Sequence, residues 1–248
     1  MEMVKRDFKQ RFAGSAAGWL WGVVHPLVLL ASWTFVFQLC LRTPTQSPLT
    51  DNYTIFLFCG FLPWLLFQET VQRSAGALLD HSNLITKTMF PSEVVPVSIF
   101  LSALINHVIA IGLVTIAVAI WDKGVSPMMA FLPIYIVLNG LLAVGLGWII
   151  SSLNVYLRDT AQVVQVALTL WFWITPIFIT REVVPERFRF LVDWNPLSYI
   201  VNAYRHLILD VELPNFQEMA IVTVFAVLIF VMGGLFFRHL KRGFADVL

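Results

Sequence analysis

Two long runs of the chain, Phe12 to Leu41 and Val125 to Leu157, contain no Asp, Glu, Lys or Arg. A bilayer core about 30 Å thick takes ~20 apolar residues of helix to cross, so each run has room for a full crossing. Within lipid the backbone N–H and C=O groups must be satisfied by the protein itself, which a helix does inside one segment. Composition agrees with this reading. The 248 residues are 58% hydrophobic and 12% charged, with a mean hydropathy of +0.80, where soluble domains carry about 25% charged residues. A water-soluble fold of this length cannot hide so much apolar surface.

Reading along the chain predicts an all-α integral membrane protein with six transmembrane helices in a single domain, residues 1–248. The spans fall near 19–41, 53–79, 97–121, 128–152, 161–179 and 217–237. Glu69 and Arg73 interrupt the second span, but they stand one turn apart, acid first, and can pair. Residues 80–90 are too polar to lie in hydrocarbon. Residues 181–215 mix Arg181, Glu182, Glu186, Arg187, Arg189 and Asp193 with aromatic side chains, and Pro185, Pro196 and Pro214 break them. That pattern predicts short helices lying at the membrane surface or re-entering it. Lys5, Arg6, Lys9 and Arg11 imitate a signal-peptide head, but the apolar stretch behind them is too long and lacks a cleavage site, so it is expected to stay as an anchor. Positive charges near the span ends favour the face bearing both termini, which puts the termini in the cytoplasm and 181–215 outside.

Signatures of catalysis are missing from the sequence. There is no His-Glu-x-x-His, Gly-x-Ser-x-Gly or Cys-x-x-Cys, and no phosphate-binding loop of the Gly-x-x-x-x-Gly-Lys-Ser/Thr type. If ATP drives this protein, the ATPase is another polypeptide, and no cofactor is expected on this chain. A net charge of +1 gives no reason to expect nucleic acid as a partner. Asn106 and His107 form a polar pair inside the third span, either a functional site or an interhelical hydrogen bond. Gly14, Gly18 and Gly22, and likewise Ala143, Gly147 and Ser151, make stripes that allow close helix approach. Cys40 and Cys59 either face each other or are small buried hydrophobes.

Aromatic residues are 14% of the chain. Some of the tryptophans suit the membrane–water interfaces, while Trp33, Trp171 and Trp173 lie deeper in their spans. Aromatic rings stack on the apolar faces of sugars without demanding one hydroxyl pattern. Trp33, Phe37, Trp64, Phe67, Trp171 and Trp173 are therefore candidates for a glycan channel; the alternative is that they face lipid or a neighbouring helix.

Several stretches together resemble the membrane subunit of ATP-binding-cassette exporters for O-antigen, teichoic acid and capsular polysaccharide. They are Arg6-Asp7-Phe8-Lys9-Gln10-Arg11-Phe12 with Gly18-Trp19-Leu20-Trp21 and His25-Pro26-Leu27; Gly60-Phe61-Leu62-Pro63-Trp64 with Phe67; Asn83-Leu84-Ile85-Thr86-Lys87 leading to Phe90-Pro91-Ser92-Glu93-Val94-Val95-Pro96; Tyr156-Leu157-Arg158-Asp159; and Trp194-Asn195-Pro196-Leu197. They span nearly the whole chain. The resemblance implies a homodimer in the bacterial inner membrane, working with two copies of a cytoplasmic ATPase that holds ATP and Mg, and moving a lipid-linked polysaccharide, O-antigen first among the possibilities. It further implies an amphipathic interface helix near residues 3–14 (Arg6, Lys9, Arg11). A cytoplasmic coupling segment follows near 80–90 (Asp80, His81, Asn83, Leu84, Ile85, Lys87), and external gate helices near 182–210 (Trp194, Asn195, Pro196). A teichoic acid or capsular exporter, or a drug permease of the same group, is the alternative. An ion-coupled transporter lacks unpaired intramembrane carboxylates and an internal repeat here, and a lipid-modifying enzyme lacks an acid–base or metal cluster.

Overall fold

The computed structural model describes residues 20–41, 49–82, 91–121, 124–210 and 213–247, and among these every regular element is helical. The interface helix (Arg6, Lys9, Arg11) and most of the coupling segment (Asn83, Leu84, Ile85, Lys87) lie outside the described residues. The helices are α1 (Trp21–Trp33), which continues as a wider π turn over Thr34–Cys40, α2 (Tyr53–Asp80), α3 (Val94–Trp121), α4 (Leu132–Tyr156), α5 (Thr160–Ile174), α6 (Arg189–Asp193), α7 (Pro196–Leu209), α8 (Phe216–Leu240) and α9 (Phe244–Val247). Among the described residues five stretches are long and apolar enough to cross a membrane: α1 with its π continuation, α2, α3, α4 with the preceding 3-10 turn, and α8.

Asparagine starts several of these helices. Asn52 accepts hydrogen bonds from the Thr54 and Ile55 amides at the head of α2, Asn195 from Leu197 at α7, and Asn215 from Gln217 and Glu218 at α8. Each cap satisfies donors that the first helical turn leaves open. Gly124, at φ +97°, turns the chain out of α3, a conformation that costs glycine little.

The fifth helix is shorter than the sequence suggests. A span to residue 179 is expected, yet α5 stops at Ile174 after 15 residues, about 22 Å at 1.5 Å per residue. Proline disfavours helical geometry in the residue before it, and Thr175, which precedes Pro176, is extended (φ −73°, ψ 131°). The chain from 175 to 180 is irregular.

α4 lies at the centre, against α2 on one side and α8 on the other. Its contact with α8 is backbone on backbone: a methyl on Gly145 would come within 2.7 Å of the Ile229 carbonyl oxygen, and Gly233 faces Gly145 in return. Of the anticipated small-residue stripes, Gly147 meets Ser74 of α2, and Gly22 lets Asn106 of α3 approach α1. Lipid tails are as apolar as leucine, so close packing of this kind, not the hydrophobic effect, holds membrane helices together. The faces turned outward are apolar, with Ile120, Val163, Leu170, Val224 and Leu235 all exposed.

α7 does not lie on the surface of the bundle. Leu197, Ile200, Val201, Tyr204, Leu207 and Ile208 are fully buried, packed against α2, α4 and α8. Cys40 is exposed and Cys59 buried, and the two are not joined by a disulfide.

Candidate functional site

The aromatic candidates converge on one wall. Trp33, at the end of α1, meets Phe61 edge-on at 4.5 Å and Phe178 at 5.0 Å, with Phe172 at 5.6 Å. Phe37 sits 5.1 Å from Phe178, and Trp173 stacks on Phe178 at 5.4 Å. Behind them Trp64 contacts Phe172, and Phe67 meets Trp171 edge-on at 5.1 Å. Such offset and T-shaped contacts are the favourable arrangements for ring quadrupoles. The wall has two layers. Trp64 and Phe67 are wholly interior, with the Trp64 indole N–H donating to Gln68 Oε1 at 2.6 Å, whereas Trp173 is 65% exposed. Phe61, Phe172 and Phe178, which tie the layers together, are not among the residues anticipated from the sequence.

A polar row on α2 adjoins this wall. A groove of about 380 Å³ is lined by Trp33, Phe61 and Phe172 and by Gln68, Glu69, Gln72 and Arg73, with Gln68 and Gln72 on the same face of α2 as Phe61, about two and three turns further along. Gln68 and Gln72 are one turn apart, as are Glu69 and Arg73, so all four side chains share one flank of the helix. Arg73 lies 3.6 Å from Glu69, and the pair reads in sequence as self-neutralising. The i, i+4 spacing of the two glutamines was the signal that could have marked this flank. The groove thus offers flat apolar surfaces next to amide and charged groups that both donate and accept.

The gate candidates part company. Trp194 points away from the fold, 74% exposed, while Asn195 is buried. The Asn195 Oδ1 accepts from the Trp171 indole N–H at 2.9 Å and from the Leu197 amide at 3.1 Å, and its Nδ2 donates to Thr175 Oγ1 at 3.0 Å. Pro196, the first residue of α7, has no N–H to leave unsatisfied there. Nearby, Arg181 grips Asp193 with two hydrogen bonds, one of 2.8 Å, and this guanidinium holds the Asp193 carboxyl below its ordinary range.

Arg205 is the functional-region residue that sequence reasoning missed. It is 3% exposed. Its guanidinium donates to the carbonyls of Pro176 and Ile177 and lies 3.8 Å over the Phe56 ring. Gly60 makes room for it, since a methyl there would stand 2.6 Å from a guanidinium nitrogen. One buried cation thereby joins α7, α2 and the irregular chain after α5. The Asn106–His107 pair divides as well. His107 Nε2 bonds the Tyr204 hydroxyl at 2.9 Å, the interhelical role, whereas the Asn106 amide has no hydrogen-bond partner.

At the other end of the bundle, Asp80 ends α2 and the His81 ring bonds the Ala77 carbonyl oxygen at 2.8 Å. There Lys241 contacts both Glu93 oxygens, at 2.7 and 2.8 Å. Partial burial raises the Glu93 carboxyl, but the Lys241 hydrogen bond and charge outweigh it and hold the group below its ordinary value. No group of three or more His, Cys, Asp or Glu side chains suited to a metal ion occurs among the described residues.

Known proteins resemble the chain over most of its length. The O-antigen export system permease protein RfbA of Klebsiella pneumoniae is 28% identical over 249 residues, covering 99% of this chain and 93% of its own. The protein of the same name from Myxococcus xanthus is 26% identical, with 95% and 90% covered. The polysialic acid transport protein KpsM of Escherichia coli is 23% identical, with 89% and 87% covered. Residues 1–209, including α1 to α7 and both the groove and the buried arginine, match the family described as ABC-2 type transporter. The chain belongs to that family of membrane transport subunits.

Proposed function

We propose that this chain is the channel-forming subunit of an ATP-driven exporter that moves a lipid-linked polysaccharide, most closely an O-antigen, across the bacterial inner membrane. The observation that carries this is the groove lined together by the aromatic wall and the Gln68–Arg73 flank. A sugar ring has apolar C–H faces and a hydroxyl rim, and the groove offers aromatic faces to the first and amides and charges to the second. The export permeases named above support the same substrate class. The KpsM relatives keep a capsular polymer as the second candidate.

In the working assembly two copies of the chain face each other with their grooves turned to a shared path. Trp33, Phe37, Trp171 and Trp173 form the wall, and Trp64 and Phe67 brace it from behind. Both termini are cytoplasmic, with Arg6, Lys9 and Arg11 on an interface helix. Asp80, His81, Asn83, Leu84, Ile85 and Lys87 dock a separate ATPase, which holds ATP and Mg, while this chain binds no cofactor. Trp194, Asn195 and Pro196 belong to the external gate.

The test is polysaccharide export in cells whose only copy carries Gln68→Ala with Gln72→Ala, or Trp173→Ala. We expect the polymer at the cell surface to fall about tenfold or more, through the loss of one or two hydrogen bonds in the glutamine variant and of a stacking ring in the tryptophan variant, with the amount of permease in the membrane unchanged. A fall in abundance that matches the fall in export would assign these side chains to packing. Normal export by both variants would remove the groove from the path.

A further inference from the structure

At the Asn195 end of the bundle, away from the groove, a cavity of about 770 Å³ opens between α7, the first turn of α8 and the chain from Pro176 to Asp193. That lies within the range of roughly 300–1,000 Å³ in which proteins hold small organic ligands. Its polar lining comes chiefly from Ser198, Tyr199, Asn202, Asn215, Gln217 and Glu218, and Phe56, Val192 and Ile221 supply apolar patches.

The charges in this lining decide what it can hold. Arg181, Arg205 and His206 reach it, and each is engaged elsewhere: Arg181 grips Asp193, Arg205 donates to the Pro176 and Ile177 carbonyls, and the His206 ring stands 3.5 Å from the Asp210 carboxylate. What remains is carboxylate and amide. Glu218 is held in place by the Asn215 and Asn202 amides at 3.4 and 3.5 Å, contacts long enough to yield to a better donor. Ser198 is 5% exposed, and its hydroxyl is buried with no hydrogen-bond partner, so the site contains polar capacity that the protein itself does not use. An anionic ligand would meet Glu182 and Glu218 with no cation free to receive it. A neutral polyol fits, because each hydroxyl can donate to a carboxylate and accept from an amide, while the C–H faces lie on the apolar patches.

We propose that this cavity is a binding site for a mono- or disaccharide unit of a neutral glycan, one site in each subunit and separate from the groove. It rests on the reading of the protein as a polysaccharide exporter. On the external side, such a site holds the emerging polymer and opposes its sliding back between ATPase strokes.

Saturation-transfer NMR on the permease–ATPase complex in lipid nanodiscs tests this, with methyl α-mannoside, methyl β-galactoside and N-acetylglucosamine as neutral probes and glucose 6-phosphate as the anionic control. At least one neutral sugar should give a signal that competes with its own unlabelled excess. Asn202→Ala and Glu218→Gln, made separately, should each weaken it about tenfold at unchanged membrane abundance. Gln68→Ala with Gln72→Ala should leave it intact. No signal from any neutral sugar, a signal from glucose 6-phosphate alone, or a sugar signal lost in the Gln68/Gln72 variant and kept in both cavity variants would each overturn the cavity site. Any of these with normal polysaccharide export overturns the cavity alone. Absence of polysaccharide export from a strain expressing the intact complex overturns the functional reading beneath it.

Discussion

A guanidinium taken out of water needs acceptors around it, and Arg205 finds them in the Pro176 and Ile177 carbonyls, a longer contact to the Phe56 carbonyl and an aromatic face. The first two carbonyls are available because Pro176 ends α5 and leaves the next residues without helical partners. The arrangement tolerates no extra atom at Gly60, where a methyl would stand 2.6 Å from the arginine. We therefore expect Gly60→Ala to lower the unfolding temperature of the purified protein, at a cost of about 1–3 kcal/mol for overpacking. Arg205→Ala should cost as much or more by leaving buried carbonyls unpaired. In the double variant the Gly60→Ala penalty should vanish, since its obstacle is gone, and thermal melts of the four proteins would expose strict additivity if Arg205 does not fill that space. None of this was legible in the sequence, where Arg205 reads as one more external charge. The carbonyls that hold it belong to a segment far away in the chain, and no periodicity connects them. Trp33, Trp171 and Trp173 stand out in the sequence by type and depth, but the burial of Trp64 and Phe67 is not legible there. α2 is apolar around most of its girth, and lipid, core and channel wall all accept an aromatic ring.

The helices themselves were the most legible level, because hydrocarbon thickness sets their length and charge sets their ends. The exceptions follow from local chemistry. The fifth helix yields to Pro176. Of the two expectations for α7, lying at the surface or re-entering, the buried Leu197, Ile200, Val201, Leu207 and Ile208 favour the second, while Asn202 and His206 line open cavities, which a plot of amphipathicity cannot distinguish from water. The closest contact, α4 on α8, runs through Gly145 and Gly233, which belong to no four-residue stripe noticed in the sequence. Gly145→Val should separate these two helices and destabilise the subunit by about 1–3 kcal/mol or more, reducing the folded fraction recovered in detergent. Gly112→Val in α3 is the matched control, for a methyl there meets nothing within 4 Å. Equal recovery of the two variants in size-exclusion profiles would contradict the packing described for α4 and α8.

At the scale of the whole molecule, orientation in the membrane decides how force and substrate meet. From the charge bias we expect residue 87 on the cytoplasmic side and residue 187 outside. In a variant without Cys40 and Cys59, a single cysteine at 187 should react with an impermeant maleimide added to intact cells. One at 87 should react only in inverted vesicles, and less so when the ATPase is bound, because the coupling segment is then covered. Labelling at 87 from outside, with none at 187, inverts the topology; labelling at 87 that the ATPase leaves unchanged moves docking elsewhere on the chain. The two ends of the bundle also differ in build. The Asp80 end is tied by a half-exposed ion pair, Lys241 to Glu93, a contact of the kind that contributes little to stability. The Asn195 end is tied by buried polar contacts with few alternatives.

The oxygen of Asn195 serves two masters. It caps α7 through the Leu197 amide and at the same time fixes the indole of Trp171, a residue of the aromatic wall. A single atom therefore acts as a mechanical latch between the two. If Trp171 swings aside, its indole bond to the cap is lost; if α7 moves off its cap, Trp171 loses the bond that sets its tilt. Displacing one releases the other, so the aromatic wall and the head of α7 are joined at one side chain with no messenger between them.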